Sequence, residues 1–457
     1  MKKLCYTMTI RLTKMLNIVF MTVPLLICWE LWISKEISDR NMEVLVVGGF
    51  VILYAMYGKI YDSFLVSISK VSEMIYSQCL AAVISDFFVY VILCLIKDNI
   101  IAILPMLVVF GGQILLSAGW CITAHIWYFK TIAPKKSVII HTQEQKIDEL
   151  IHTYDLKNKF SVQHILTAES CMEDKLAALQ DAEILFLCGV QSHERNVILK
   201  YCVKNDITVY VLPRIGDLIM SGAQKMHLFH MPFLKIGRYE PSAEYLFLKR
   251  MFDILVSALA ILLLSPIMLL ISAAIKLTDG GPVFYKQKRL TKDGKEFFVI
   301  KFRSMRTDAE KDGIARLSTG DSDQRITPIG KVIRKIRMDE LPQLFNILEG
   351  SMSLVGPRPE RPEIAQQYEE ILPEFALRLQ AKAGLTGYAQ VYGKYNSTPY
   401  DKLKMDLMYI ANPSILEDLR IIFATIKILF IPESTEGVEE GMENAIKKSK
   451  GENEIEI

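Results

Sequence analysis

Four long apolar runs crowd the first 130 residues, at about 16–33, 43–58, 78–96 and 100–128. Each approaches the roughly 20 residues that cross a bilayer as helix, so residues 1–130 are expected to form a four-helix transmembrane bundle. The first run follows Lys2, Lys3, Arg11 and Lys14, as a secretory signal would. It is long, lacks a small-residue cleavage site and is followed by three more runs, which favours a retained span. Basic loops stay in the cytoplasm. Lys59 and Lys70 in the 59–77 loop, and Lys130, Lys135 and Lys136 after the fourth run, therefore put both ends of the bundle on that side. Asp86, inside the third run, is either a functional group or an acid that reaches the interface or a bundle contact.

A net charge of +2 is close to balance, so no bulk field argues for a nucleic-acid partner. The eight cysteines include no CxxC pair and suit neither a disulfide framework nor a zinc site. None lies beyond Cys202, and no histidine lies beyond His230. Chemistry in the second half must then run on carboxylates, Lys, Arg, Tyr, Ser or a metal, which excludes Ser-His-Asp and Cys-His mechanisms there.

From 137 to about 212 the pattern changes to short β-rich runs, SVIIH, FSVQHIL, EILFLCG and ITVYVL, alternating with helical stretches near 143–153, 171–180 and 191–203. Such a βαβ series predicts a parallel sheet, hence a Rossmann-like α/β domain over 131–240. A dinucleotide needs a glycine-rich turn after the first strand, and this turn begins His141-Thr-Gln-Glu-Gln. A scaffolding or regulatory domain is expected instead.

Lys249 and Arg250 precede a fifth apolar run, Ile254 to Ile275, which Ser265-Pro266 interrupts; Lys276, Lys286, Lys288, Arg289, Lys292 and Lys295 follow it. Basic residues on both flanks place both ends in the cytoplasm, and a proline removes one helix hydrogen bond. A re-entrant helix over about 252–276, broken at Ser265 and Pro266, satisfies both facts. An α/β catalytic domain then fills 241–432, and its run from Leu419 to Ile431 suits core packing or an interface equally. Residues 433–457, rich in Glu, Lys, Gly and Asn, read as a disordered tail.

The candidate chemistry lies between Arg334 and Pro359. An adjacent acid pair, Asp339 and Glu340, stands among Arg334, Arg337 and Arg358, with Lys301 and Arg303 in the KFRSM segment upstream. Arginine forks suit phosphate oxygens, and the Gly-Pro turn before Arg358 would hold such a fork rigidly. Adjacent acids on a helix diverge by about 100° and do not share a proton. Distinct roles follow: one carboxylate to attack phosphorus, the other to hold Mg²⁺ or orient the group. The nearby arginines are expected to keep Asp339 ionised. A capping or ion-pair role at a helix end is the alternative.

Five ordered segments carry a resemblance. GPVFYKQKR (Gly281 to Arg289), KFRSM, RITPIGKVIRKIRMDELPQLFNILEG, MSLVGPRP and GLTGYAQV (Gly384 to Val391) resemble the bacterial polyprenyl-phosphate hexose-1-phosphate transferases over about 249–430. The front half looks like that of the larger members. The resemblance implies a monotopic catalytic module with a re-entrant helix broken at Ser-Pro, on the cytoplasmic face of the bacterial inner membrane. It implies transfer of a sugar 1-phosphate from a UDP-sugar to undecaprenyl phosphate with Mg²⁺ and release of UMP, initiating capsule, exopolysaccharide or O-antigen synthesis. It implies Asp339 as the nucleophile, Glu340 as the metal-side acid, and Lys301, Arg303, Arg334 and Arg358 as phosphate-binding residues; Arg337 joins them by proximity. A homodimer and other polysaccharide assembly enzymes are the expected protein partners. Ser351, Ala383, Tyr392 and Lys394 depart from the family pattern. Two other readings stand beside it: a membrane-bound nucleotide-sugar dehydratase, and a non-catalytic scaffold.

Overall fold

The structure is a computed structural model that describes residues 2–35, 37, 39–141, 157, 159–173, 176–306, 323, 325–393 and 398–429. The helix expected near 143–153 and the tail expected at 433–457 lie outside the described residues. The chain divides into two compact units, Met1–Leu212 and Pro213–Ile457. Among the described residues five helices are long and apolar enough to cross a membrane, and the chain is a membrane protein.

Four of those helices open the first unit: α1 (Lys2–Leu31), α2 (Arg40–Ile60), α3 (Val71–Lys97) and α4 (Leu104–Thr131). Apolar groups such as Phe50, Met74 and Val89 fill their interior, while buried amides and hydroxyls tie the helices together. Tyr54 donates to Asn17 Oδ1 (2.9 Å), Asn17 to Gln78 Oε1 (3.2 Å), and Ser117 to the same Gln78 oxygen (2.9 Å). Gln113 Nε2 of α4 donates to Asp86 Oδ1 of α3 at 3.3 Å and to the Met21 carbonyl of α1 at 3.4 Å, which makes Asp86 part of a bundle contact. Buried polar groups with partners fix which helix faces which, because any other pairing leaves them desolvated and unbonded.

After α4 come β1 (Lys135–His141), β2 (Phe160–Thr167), β3 (Ile184–Cys188) and β4 (Thr208–Val211), all parallel in the order β2-β1-β3-β4. The helices α5 (Ala168–Glu173) and α6 (Ser192–Lys204) lie between strands. Ile140, Leu185, Leu187, Ile198 and Cys202 share one core, as expected of an α/β unit whose strands carry apolar runs. This unit ends at Leu212, short of the expected boundary at 240. The next elements, α7 (Ile215–Ser221) and the hairpin β5 (Gln224–Leu228)–β6 (Met231–Lys235), fall in the second unit, where Leu218 joins the main core.

The second unit is organised along α8 (Ala243–Asp279). The expected break at Ser265–Pro266 does not end this helix, which runs through it. Pro266 has no N–H for the Leu262 carbonyl, and the Ser265 hydroxyl bonds that carbonyl at 2.8 Å instead. Both halves of α8 pack on the same body. Phe252, Val256, Ala260 and Ile261 lie against a core containing Ile347, Leu354 and Phe375. Met268, Ile271 and Ile275 join Phe302 and Ile333. Leu255, Leu259, Leu262, Leu263, Leu269 and Leu270 are exposed along the helix. Such a stripe is stable only against lipid or another apolar surface.

The basic residues at the start of α8 have partners within this unit. Arg250 donates to the Ile347 and Leu348 carbonyls (2.6 and 2.7 Å) at the end of a short helix, and Lys249 pairs with Asp418 at 2.8 Å. Asp253 accepts from Ser353 Oγ (2.8 Å) and from the Leu354 N–H (3.0 Å). The apolar helix is thereby bolted to the segment that leads into the Gly-Pro-Arg-Pro turn.

Candidate active site

The antiparallel hairpin β7 (Phe284–Leu290)–β8 (Glu296–Phe302) supplies Lys301, whose neighbour Phe302 packs with Met268, Ile271 and Ile275 of α8. Thr327 caps α9 (Pro328–Lys335) by accepting from the Gly330 N–H at 3.0 Å, and α9 ends beside Arg334. Arg337 takes a left-handed φ of 54°, which turns the chain out of α9 and into a single 3₁₀ turn, Met338–Glu340. The acid pair therefore sits on this tight turn rather than on an α-helix. Met338 and Leu341, on either side of it, pack against the cluster of Met268, Ile271 and Ile275. The second half of α8 thus supports the floor of the site.

Glu340 Oε1 accepts from Lys301 Nζ at 2.8 Å and from Arg358 Nη2 at 3.3 Å. Burial works against its charge, but Lys301 and Arg358, with Arg337 behind them, outweigh burial and hold the carboxyl well below its usual range. Asp339 moves the other way. Burial and the neighbouring Glu340 charge push it up to about 6, against the pull of Lys301, Arg334 and Arg358. The cations limit that rise, so Asp339 is still mostly ionised at neutral pH, as expected, although desolvation holds it above its ordinary value. Two adjacent acids with opposite displacements are equipped for different work.

Lys301, Arg334, Arg337 and Arg358 all act on the pair. Arg303 is placed differently. It is 6% exposed, its backbone N–H donates to the Val283 carbonyl, and its guanidinium lies so close over Gly281 that a Cβ there would collide with it. Glycine at 281 is the space for that side chain. Ser265 and Pro266 are on the exposed side of α8 and take no part in the charge cluster.

Residues without a local sequence signal hold the Arg358 turn from behind. The strands β9 (Ser353–Val355) and β10 (Gly384–Thr386) pair in parallel, and Gly356 and Gly384 approach too closely for a Cβ on either. α10 (Gln343–Glu349) precedes β9, α11 (Pro362–Ile371) lies between the two strands, and α12 (Tyr388–Tyr392), α13 (Pro399–Ala411) and α14 (Ile415–Leu429) follow β10. Ile421 and Ala424 of α14 are buried with the main core or beside it, so core packing accounts for one face of the expected 419–431 run. Arg378, 3% exposed, donates from Nε and Nη2 to Asp406 Oδ2 at 2.8 and 2.7 Å, and from Nη2 to the Arg358 carbonyl at 2.9 Å. Arg289 donates to the Pro359 carbonyl at 3.0 Å. Glu360 lies between Arg378 (3.6 Å) and Arg289 (4.0 Å). Burial opposes the Glu360 charge, and Lys402, Arg378 and Arg289 overcome it.

The model of the family described as bacterial sugar transferase matches residues 244–432. A UDP-N-acetylgalactosamine-undecaprenyl-phosphate N-acetylgalactosaminephosphotransferase from Aeromonas hydrophila is 39% identical over 234 residues, 50% of this chain and 54% of that protein. A UDP-glucose:undecaprenyl-phosphate glucose-1-phosphate transferase from Klebsiella pneumoniae is 42% identical over 191 residues, 41% of each. The exopolysaccharide production protein PSS of Rhizobium leguminosarum bv. phaseoli is 44% identical over 190 residues, 40% of this chain but 94% of that protein. The chain belongs to the bacterial sugar transferase family. It spans about half the length of the first two relatives.

Two departures of this sugar transferase from its family pattern meet at one residue. The Ala383 N–H donates to Thr291 Oγ1 at 3.2 Å, a bond that proline at 383 has no hydrogen to make. Thr291 Oγ1 in turn donates to the Ser351 carbonyl at 3.1 Å. Ala383 is buried, so it reads no substrate directly. Tyr392 is half exposed and lies 4.8 Å from the Tyr388 ring, whereas Lys394 lies outside the described residues.

Proposed function

We propose that this chain transfers a hexose 1-phosphate from a UDP-sugar to undecaprenyl phosphate, with release of UMP, at the cytoplasmic face of a bacterial inner membrane. The observation that carries the reading is the acid pair with opposed displacements inside a set of four cations. Asp339, the acid that ionises near 6, attacks the β-phosphorus and holds the sugar phosphate as an acyl phosphate. The acceptor phosphate then displaces it. Lys301, Arg334, Arg337 and Arg358 offset the phosphate charge and orient the donor.

Mg²⁺ fits this site in one way. Among the described residues no group of three acidic, His or Cys side chains could hold a metal. Glu340 spends Oε1 on Lys301 and Arg358, leaving Oε2 to join a cation that arrives on the donor phosphates, the usual mode for Mg²⁺. Bound there, the ion would neutralise phosphate charge.

The relatives' names, the GPVFYKQKR-to-GLTGYAQV order and the membrane helix support this reading together. Mixing purified chain with undecaprenyl phosphate and a panel of UDP-sugars, beginning with UDP-glucose and UDP-N-acetylgalactosamine, tests it. UMP and a lipid-linked sugar should appear with at least one donor. A panel without UMP would leave the scaffold reading in its place.

The acid limb of UMP release should follow Asp339. The rate is expected to climb as pH rises through about 6, because only the carboxylate attacks. In Glu340→Gln the neighbouring charge is gone, so the limb should move to lower pH as the rate falls. A limb that stays in place in that variant removes Asp339 from the titrating role.

We read α8 as re-entrant, since both its halves pack on one body and its outer leucines face lipid. Single cysteines at Glu240→Cys and Lys295→Cys, in a chain freed of its other cysteines, should react with an impermeant maleimide from the same side of sealed vesicles. Labelling from opposite sides would make α8 a full span.

A further inference from the structure

We propose that Lys402, beside the Arg378–Glu360 group that backs Arg358, binds the phosphate of the departing nucleotide; the inference rests on the transfer reading above. Lys402 stands in the first turn of α13, whose N-terminus carries partial positive charge and disfavours a cation. One turn further on, Asp406 accepts the Arg378 guanidinium. Residues four apart share a helix face, so Lys402 lies over the same Arg378–Glu360 group. Lys404, two positions along, is committed: it pairs with Asp401 at 3.2 Å and covers the Tyr400 ring. Among the described residues the half-buried Lys402 ammonium makes neither a hydrogen bond nor an ion pair.

Arg358 links this group to the acid pair. Its guanidinium reaches Glu340, while its carbonyl accepts from Arg378. Beyond it, Arg289, Arg378 and Lys402 gather around Glu360 and Asp406, with Arg358 acting on Glu360 as well, so cations outnumber the carboxylates at the centre of the group. Burial lowers the proton affinity of Lys402, and Glu360 works to restore it. A cation held at such a cost, at the wrong end of a helix and with no direct ion pair or hydrogen bond of its ammonium among the described residues, suits an anion that comes and goes.

The chemistry says which anion. In the first step an Asp339 oxygen bonds to the β-phosphorus, and the bond from that phosphorus to the bridging oxygen breaks. The electron pair stays on the bridging oxygen, which becomes a terminal oxygen of UMP, and no proton moves. Negative charge grows on the nucleotide phosphate, where a fixed cation lowers the barrier. In the second step the acceptor phosphate displaces Asp339 at the same phosphorus. The nucleotide has gone, and Lys402 has nothing to stabilise.

The test separates the two steps in the full-length chain, using Lys402→Met and Lys402→Arg. The UMP burst from a UDP-sugar without acceptor, and the inhibition constant of UMP, report the first. Transfer from preformed intermediate to undecaprenyl phosphate, after the donor is removed, reports the second. Lys402→Met should slow the burst about ten- to hundredfold, the worth of one charge-assisted contact, and weaken UMP inhibition similarly. It should alter the second step by less than about threefold, since that transition state lacks the contact. Lys402→Arg should recover most of the burst. An unchanged burst in Lys402→Met, or equal slowing of both steps, overturns the assignment while the transfer reading stands. Wild-type chain without a burst from any UDP-sugar overturns both.

Discussion

Asp339→Asn should abolish UMP release, lowering it by about four orders of magnitude or more, if Asp339 is the covalent nucleophile that the proposed transfer requires. The amide matches the carboxylate in shape but does not form a stable acyl phosphate, so no sugar-phosphate adduct should appear in the mass spectrum of the intact chain. Stability should move the other way. Asp339 ionises near 6 in the folded chain, above its ordinary value of 3.8. A group raised in this way favours the folded state fully below the unfolded value and loses that contribution as pH rises through the folded one. At neutral pH the ionised Asp339 is therefore a cost, and the neutral amide should melt at the same temperature as wild type or higher. An Asp339→Asn chain that still turned over would place the nucleophile elsewhere.

The second large effect belongs to Arg378. Its side chain and that of Asp406 are almost wholly buried, at 3% and 1% exposure. Arg378→Met leaves Asp406 without its ion pair and Glu360 without one of two, and removing one partner of a buried pair costs about 3–5 kcal/mol. A clear drop in thermal midpoint is expected. Replacing both partners, Arg378→Met with Asp406→Leu, should return most of that stability, because well-packed apolar groups substitute for a buried pair. Activity should not return. The Arg358 carbonyl still lacks its donor, and a misplaced positioning group costs on the order of a hundredfold in rate. If the double variant regained both stability and rate, Arg378 would be a packing residue only.

Much of this was legible in the sequence. The four apolar runs and the β-branched strands of the parallel sheet show themselves through local periodicity, and Asp339, Glu340 and Arg358 stand in charged turns, with Lys301 at the end of β8. Three things were not legible, each for a physical reason. Arg303 reads as a second fork beside Lys301, but β8 ends at Phe302, so the alternation that governs a strand stops and Arg303 turns inward under Gly281. Ser265–Pro266 reads as a helix break, yet the serine hydroxyl takes up the carbonyl that the proline abandons. Arg378, Asp406 and Lys402 carry no motif at all. Arg378 comes from the 3₁₀ segment Pro373–Gln380 and the other two from α13, and Lys402 with Lys404 looks like the solvated face of an amphipathic helix.

On the proposed transfer, the leucine stripe on α8 also decides how such a chain would meet its acceptor. Catalyst and polyprenyl phosphate are then confined to one plane, and their encounters depend on molecules per unit area rather than per unit volume. Adding inert lipid at constant bulk acceptor should slow the second step by surface dilution. Adding more vesicles of unchanged composition should not. Deleting residues 1–212 leaves α8 in place, so the remaining chain would still be restricted to two dimensions.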